Sequence, residues 1–67
     1  MKNEEKNYIT LQQFLKVNDI VQSGGEAKMM IQNGKIHVNG EIEERRGRKL
    51  YEGDSVMVLG KKYIVKG

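Results

Sequence analysis

The 67-residue chain contains no cysteine, which excludes disulfides and thiolate metal sites. It has a single histidine, His37, too few for a zinc site of the usual type. No apolar run approaches the roughly 20 residues that cross a bilayer. No apolar segment follows the polar start M-K-N-E-E-K, so no secretory signal is read, and the expectation is a cytoplasmic, soluble protein without a membrane partner. A nucleophile paired with a base is also lacking. Glu41 and Glu43 have strand spacing, but beside a basic loop they read as charge balance, and His37 has no evident partner. No catalytic residue, metal site or cofactor is therefore expected. Length argues the same way. At roughly 1.5 kcal/mol of ordering entropy per residue, burial in so short a chain only just balances folding, and a deep water-excluding pocket is not expected.

What the chain does have is charge, unevenly placed. The net charge is +3, with residues 1–44 at −2 and residues 45–67 at +5. A basic half on a chain of pI about 9.3 is the electrostatic footprint of a polyanion binder, although a solvated lysine-rich surface has the same composition. The densest run is Arg45-Arg46-Gly47-Arg48-Lys49, four cations in five residues. Arginine offers a planar fork suited to phosphate. Glu43 and Glu44, just upstream, are placed to pair with part of it.

Periodicity gives the elements. Residues 1–7 are polar and without apolar spacing, and are expected to form a flexible N-terminus ahead of a single domain over 8–67. Thr10 with Gln13 forms a capping box, Ile9 and Phe14 a hydrophobic staple, and Leu11, Phe14 and Leu15 one apolar helix face ending near Val17 or Asn18. Ile20 and Val21 are expected to anchor the connection in the core. Ser23 with Glu26 caps a second helix, whose Ala27, Met30 and Ile31 point inward and whose Lys28 and Gln32 point outward. Ser23-Gly24-Gly25 also resembles a phosphate cradle, but no G-x-x-x-x-G-K-[ST] or G-x-G-x-x-G is present. Asn33-Gly34 stops the helix.

A strand alternation follows over Lys35–Val38, with Ile36 and Val38 inward and Lys35 and His37 outward. Asn39-Gly40 is a hairpin turn, and Glu41 to Glu44 are expected to return as a strand with Ile42 inward. Glu52-Gly53-Asp54 is turn chemistry. Ser55 to Leu59 is a β-rich run with Val56 and Val58 on one face. Gly60-Lys61 is expected to turn into a last strand, on which Tyr63 and Val65 share a face. Two readings stand for His37: an exposed strand histidine without a special role, or one that stacks on a base or meets a phosphate.

The runs S-G-G-E-A-K-M-M-I-Q-N-G-K-I-H-V-N-G-E and R-R-G-R-K-L-Y-E-G-D-S-V resemble the S-four RNA-binding domain, the alpha-L motif. The positions that carry the resemblance are Glu26-Ala27, Met30-Ile31, Gly34, Ile36, Val38-Asn39-Gly40 and Gly53-Asp54. They extend over about Thr10 to Leu59. Gly24, Gly25, Ala27 and Lys28, with Arg45, Arg46, Lys49 and Leu50, look like the small stand-alone bacterial subgroup. The resemblance implies an α+β fold, with two antiparallel helices packed on a small, mostly antiparallel sheet of three to five strands. It implies that structured RNA, often ribosomal, meets the face formed by the second helix and the following hairpin. The RNA contacts it implies fall on Lys28, Lys35, His37, Asn39, Arg45, Arg46, Arg48 and Lys49. One departure stands out: many members open the first helix with Arg-Leu-Asp, where this chain has Thr10-Leu11-Gln12, and the arginine's phosphate contact is lost.

The function expected is thus a non-catalytic, monomeric RNA-binding protein, with RNA or ribosomal particles as partner. The alternative from a different class is an adaptor whose basic face docks an acidic protein patch.

Overall fold

The computed structural model describes residues 7–66. Residues 1–6, most of the segment expected to be flexible, lie outside the described residues, as does Gly67. The chain enters through a two-residue strand, β1 (Ile9–Thr10), directly into helix α1 (Leu11–Val17). Thr10 caps α1 as its sequence requires. The Gln13 amide donates to the Thr10 hydroxyl at 3.2 Å, and the Thr10 amide donates back to the Gln13 side chain at 3.0 Å, the reciprocal capping box. Helix α2 (Gly24–Gln32) is capped by Ser23, whose hydroxyl accepts from the Glu26 amide. The return bond from Glu26 falls one residue earlier than in the full box, onto the Gln22 amide at 2.7 Å.

Both helices stop by the same device. The Ile20 amide reaches the Leu15 carbonyl and the Lys35 amide reaches the Met30 carbonyl, the six-residue closure of a Schellman motif. The left-handed residue this needs is Gly34 (φ 75°) after α2 and Asp19 (φ 59°) after α1.

Past Gly34 the chain forms β2 (Ile36–Val38) and β3 (Glu41–Ile42), then crosses to β4 (Lys49–Leu50), β5 (Ser55–Val58) and β6 (Lys61–Ile64). The four-stranded sheet has the order β3-β2-β5-β6, and β1 pairs with β4 as a separate ribbon. Every pairing is antiparallel. The two helices pack on each other. One core joins Leu11, Phe14 and Leu15 of α1, Ala27 and Ile31 of α2, and Ile36, Val38, Leu50, Val56, Val58 and Val65, with Val21 closing it from the helix connection. Phe14 meets the ring of Tyr63 edge-on, centroids 6.4 Å apart. The architecture is α+β with two helices, as expected, but the strands divide into two sheets.

Two details of the sheet differ from expectation. Ile42 does not point inward and is 56 % exposed. The two-residue turn Asn39-Gly40 sets Val38 opposite Glu41 and His37 opposite Ile42, and directly opposed residues share a face. Ile42 therefore joins His37 and Met57 in one row on the outer surface. The inward position falls to the next residue, Glu43.

The last turn is Leu59-Gly60 rather than Gly60-Lys61. Val58 pairs with Lys61, and Leu59 and Gly60 both have positive φ, 51° and 85°. Such a turn favours Asn-Gly, and a leucine held left-handed costs about 1–2 kcal/mol. Leu59 is 71 % exposed and loses no core contact on replacement. Leu59→Asn is accordingly expected to stabilise the fold by about 1 kcal/mol, read as a higher thermal midpoint. An unchanged or lower midpoint would contradict this assignment of strain.

Candidate nucleic-acid interface

The basic run forms the crossing between β3 and β4, and its shape is set by the glutamate before it. The Glu43 amide donates to the Ile36 carbonyl at 3.0 Å, extending the β2–β3 ladder by one residue. This sends the Glu43 side chain to the inner face, where the residue is 6 % exposed. A buried carboxylate requires donors, and the loop supplies them. One oxygen accepts from the Arg45 amide at 3.0 Å and Arg45 Nε at 2.8 Å. The other accepts from Arg45 Nη2 at 3.2 Å and Arg48 Nη1 at 2.6 Å. The Arg45 side-chain hydrogen bond, helped by those from Arg48 and the Arg45 amide, overcomes desolvation and holds the Glu43 carboxyl at a pKa of about 2. The same bond raises the Arg45 guanidinium above its ordinary value.

The loop is held from its other side as well. Its Arg48 carbonyl accepts from the Leu11 amide at 2.8 Å, and its Arg46 carbonyl accepts from the Gln12 amide at 3.0 Å. Amides that a helix start leaves without intrahelical partners thus bind the arginine loop. An open groove results, lined by Thr10, Gln12, Gln13, Arg45, Arg46 and Gly47. The first turn of α2 borders it. A Cβ on Gly24 would lie 2.8 Å from Gln12 Nε2, so the start of the second helix lies against the Gln12 side chain. Lys28 lies one turn along α2 on the Gly24 side and is exposed.

The eight residues expected to contact RNA are thus not equivalent. Arg45, Arg46 and Arg48 share the one loop. The Arg45 side chain is 73 % exposed and that of Arg48 31 %, and among the described residues Arg46 pairs with no carboxylate. Lys49 flanks them on the ribbon, its Nζ 5.0 Å from the centroid of the Tyr8 ring. Lys35 is exposed at the start of β2, the end of the hairpin from which the arginine loop departs. His37 is half-buried on the outer sheet face between Ile42 and Met57, away from the loop crossing. Asn39 occupies the far end of the hairpin, about 13 Å from Lys35 along the strand. Its side chain is engaged internally, accepting from the Ser55 amide at 3.0 Å and donating to Asp54 at 3.3 Å.

Gln12 and Gln13, not among the expected contacts, line the groove. Of the two, Gln12 falls in the Thr10-Leu11-Gln12 segment at which the resemblance marked a departure, and that was the signal; nothing in the sequence singled out Gln13 as a contact. Among the described residues no group of three or more His, Cys, Asp or Glu is placed to hold a metal ion. No described helix is long and apolar enough to cross a membrane.

The Glu43 pairing has a consequence for acid stability. Its carboxyl has a lower pKa in the fold, about 2 against an ordinary 4.5, so the stabilisation is complete above about pH 5 and disappears as pH falls towards 2. The full shift corresponds to about 3 kcal/mol, and screening at the exposed Arg45 partner reduces that to roughly 1–2 kcal/mol. Urea unfolding of the wild type and Glu43→Gln between pH 7 and pH 2 should converge as the pH falls. A difference that stays constant across that range would contradict the pairing.

Comparison with known proteins places the chain among relatives. A family model described as S4 domain matches residues 2–66. The probable ribosome maturation protein RlbA of Bacillus subtilis (strain 168) is 54 % identical over 52 residues, 78 % of this chain and 73 % of that protein. Among solved structures, the trimeric heat shock protein 15 of Vibrio cholerae superposes with a TM-score of 0.78 at 17 % identity, over 91 % of this chain and 65 % of that one. The 30S ribosomal protein S4e of Thermoplasma acidophilum gives a TM-score of 0.68 at 20 % identity, over 91 % of this chain and 32 % of that one. The chain thus spans less than two thirds of either solved neighbour, and at these identities the likeness is one of fold.

Proposed function

The chain belongs to the S4 domain family, and from that premise we propose that it is a non-catalytic RNA-binding protein acting in ribosome maturation. The observation that carries the reading is the arginine loop, held on one side by Glu43 and on the other by the start of α1. A cationic loop fixed in place pays little ordering entropy on meeting a phosphate backbone. Arg45, Arg46 and Arg48 supply the primary contact, with Lys28, Lys35 and Lys49 at its borders. His37 and Asn39 lie outside this patch; His37 reaches RNA only where the RNA extends over the outer sheet face. The RNA is structured. Side chains cannot read the deep major groove of an A-form helix, so recognition by such a patch is of shape and phosphate position. The Bacillus subtilis relative is a probable ribosome maturation protein, which supports ribosomal RNA as the target. The protein works as a monomer in the cytoplasm.

The test is a titration of the full chain against an RNA hairpin of fixed sequence across a salt series. Log affinity should fall linearly with log salt, with a slope of about −2 to −3 for roughly three phosphates neutralised. An affinity that does not change with salt would refute the proposal. Co-purification from cells with and without ribonuclease distinguishes RNA from an acidic protein, since a protein partner survives digestion.

A further inference from the structure

Glu43 lies under the proposed RNA contact, and the presence of a carboxylate there is a puzzle on simple electrostatics. A negative charge beside a phosphate-binding loop weakens attraction for a polyanion. The geometry of its contacts indicates another role. Glu43 grips Arg45 side-on, through Nε at 2.8 Å and Nη2 at 3.2 Å. Among the described residues no acceptor occupies the edge between Nη1 and Nη2, and that edge carries a parallel donor pair of the kind that binds phosphate bidentately. The Arg45 side chain is largely exposed while Glu43 beneath it is buried. The buried partner therefore holds the guanidinium plane, and the open edge faces outward. Arg48, bonded to the same carboxylate through Nη1 alone, is fixed alongside it.

We infer that Glu43 is a positioning residue for phosphate recognition, holding Arg45 side-on so that its free edge takes a backbone phosphate of the RNA. The inference rests on the RNA-binding reading above. It predicts the opposite sign from simple charge counting. Neutralising Glu43 raises the net charge by one unit and still weakens RNA binding, because Arg45 must then be ordered at the expense of binding. Glu44 is the internal comparison. It is adjacent and exposed, and among the described residues it pairs with no cation. Neutralising it follows ordinary electrostatics.

The experiment is a fluorescence anisotropy titration of the full chain against the fixed-sequence RNA hairpin at one salt concentration, at a temperature where circular dichroism shows each variant folded. Glu43→Gln should weaken binding about three- to tenfold, the equivalent of ordering one long side chain. Glu44→Gln should tighten it by up to about threefold. In an Arg45→Ala background, Glu43→Gln should change affinity by less than about twofold, because its effect passes through Arg45. Glu43→Asp keeps the charge with a shorter reach, should fall between wild type and Glu43→Gln, and carries the same cycle if Glu43→Gln does not fold.

Tighter binding by Glu43→Gln, matching Glu44→Gln, would show Glu43 to be a plain counter-charge and overturn the inference. An equal loss with and without Arg45 would show a general effect on the fold and also overturn it. Arg46→Glu is the control for the underlying reading. If it weakens binding while the Glu43 predictions fail, RNA binding stands and only the role of Glu43 is lost. If the wild type binds no RNA, both fall.

Discussion

Replacing Ile31 with alanine is expected to leave much of the protein unfolded at 25 °C. Ile31 is fully buried in α2, on the face it shares with Ala27 one turn earlier. It belongs to the one buried cluster that joins residues of both helices and the strands, so its truncation leaves a cavity in that core. Truncations of this kind cost about 2–5 kcal/mol. A single core in a chain this short supplies roughly 3–5 kcal/mol. The two figures are comparable, and with no cysteine in the chain and one core among the described residues, nothing there makes up the difference. Met29, two residues earlier on the same helix, is exposed, and its alanine variant should stay within about 0.5 kcal/mol of wild type. Urea titrations followed by circular dichroism check both. An Ile31→Ala midpoint close to that of the wild type would refute this account of the core.

The inward position of Ile31 was legible in the sequence, and it shows what kind of information sequence carries. Helix faces, caps and the inner sides of β2 and β5 depend on local spacing, and Thr10, Ser23, Leu11, Phe14, Ala27, Ile31, Ile36, Val38, Val56 and Val58 all sit where spacing puts them. The β1–β4 ribbon was not legible. Its strands are two residues each, shorter than any alternation, and they pair across some forty residues of chain.

Ile42 is a different case, because the information was present and hydrophobicity pointed the other way. A two-residue Asn-Gly turn fixes the register by itself, and counting back from it puts Ile42 opposite His37. Leu59 misled through chemistry. Leucine is not a turn residue, so the turn was expected one position late, at Gly60-Lys61. Burial of Glu43 follows from the same register as Ile42. Its pairing with the basic run was read from the sequence, but its burial was masked, because a glutamate beside a basic loop reads as surface charge balance. The basic run itself was evident from composition. Its rigidity was not, since the bonds from Leu11 and Gln12 come from residues more than thirty positions away.

This rigidity separates two charge reversals that would otherwise look alike. Arg46→Glu is expected to weaken RNA binding about tenfold or more at physiological salt and to reduce the salt slope by about one unit, with the thermal midpoint close to that of the wild type. The reason is that the Arg46 backbone, not its side chain, bonds α1, and among the described residues the side chain pairs with no carboxylate. Arg45→Glu acts differently. It sets a second carboxylate against buried Glu43, so that a charge held by three bonds from Arg45 meets repulsion in place of two of them. The loop must open or Glu43 must take up a proton, and both affinity and stability are lost. The double variant should bind about 100-fold more weakly than wild type, near the sum of the single free energies if the two arginines contact separate phosphates. Parallel measurement of affinity and melting temperature separates the effects. Affinity lost with the fold intact in Arg46→Glu supports direct contact, whereas wild-type affinity in that variant would remove Arg46 from the interface.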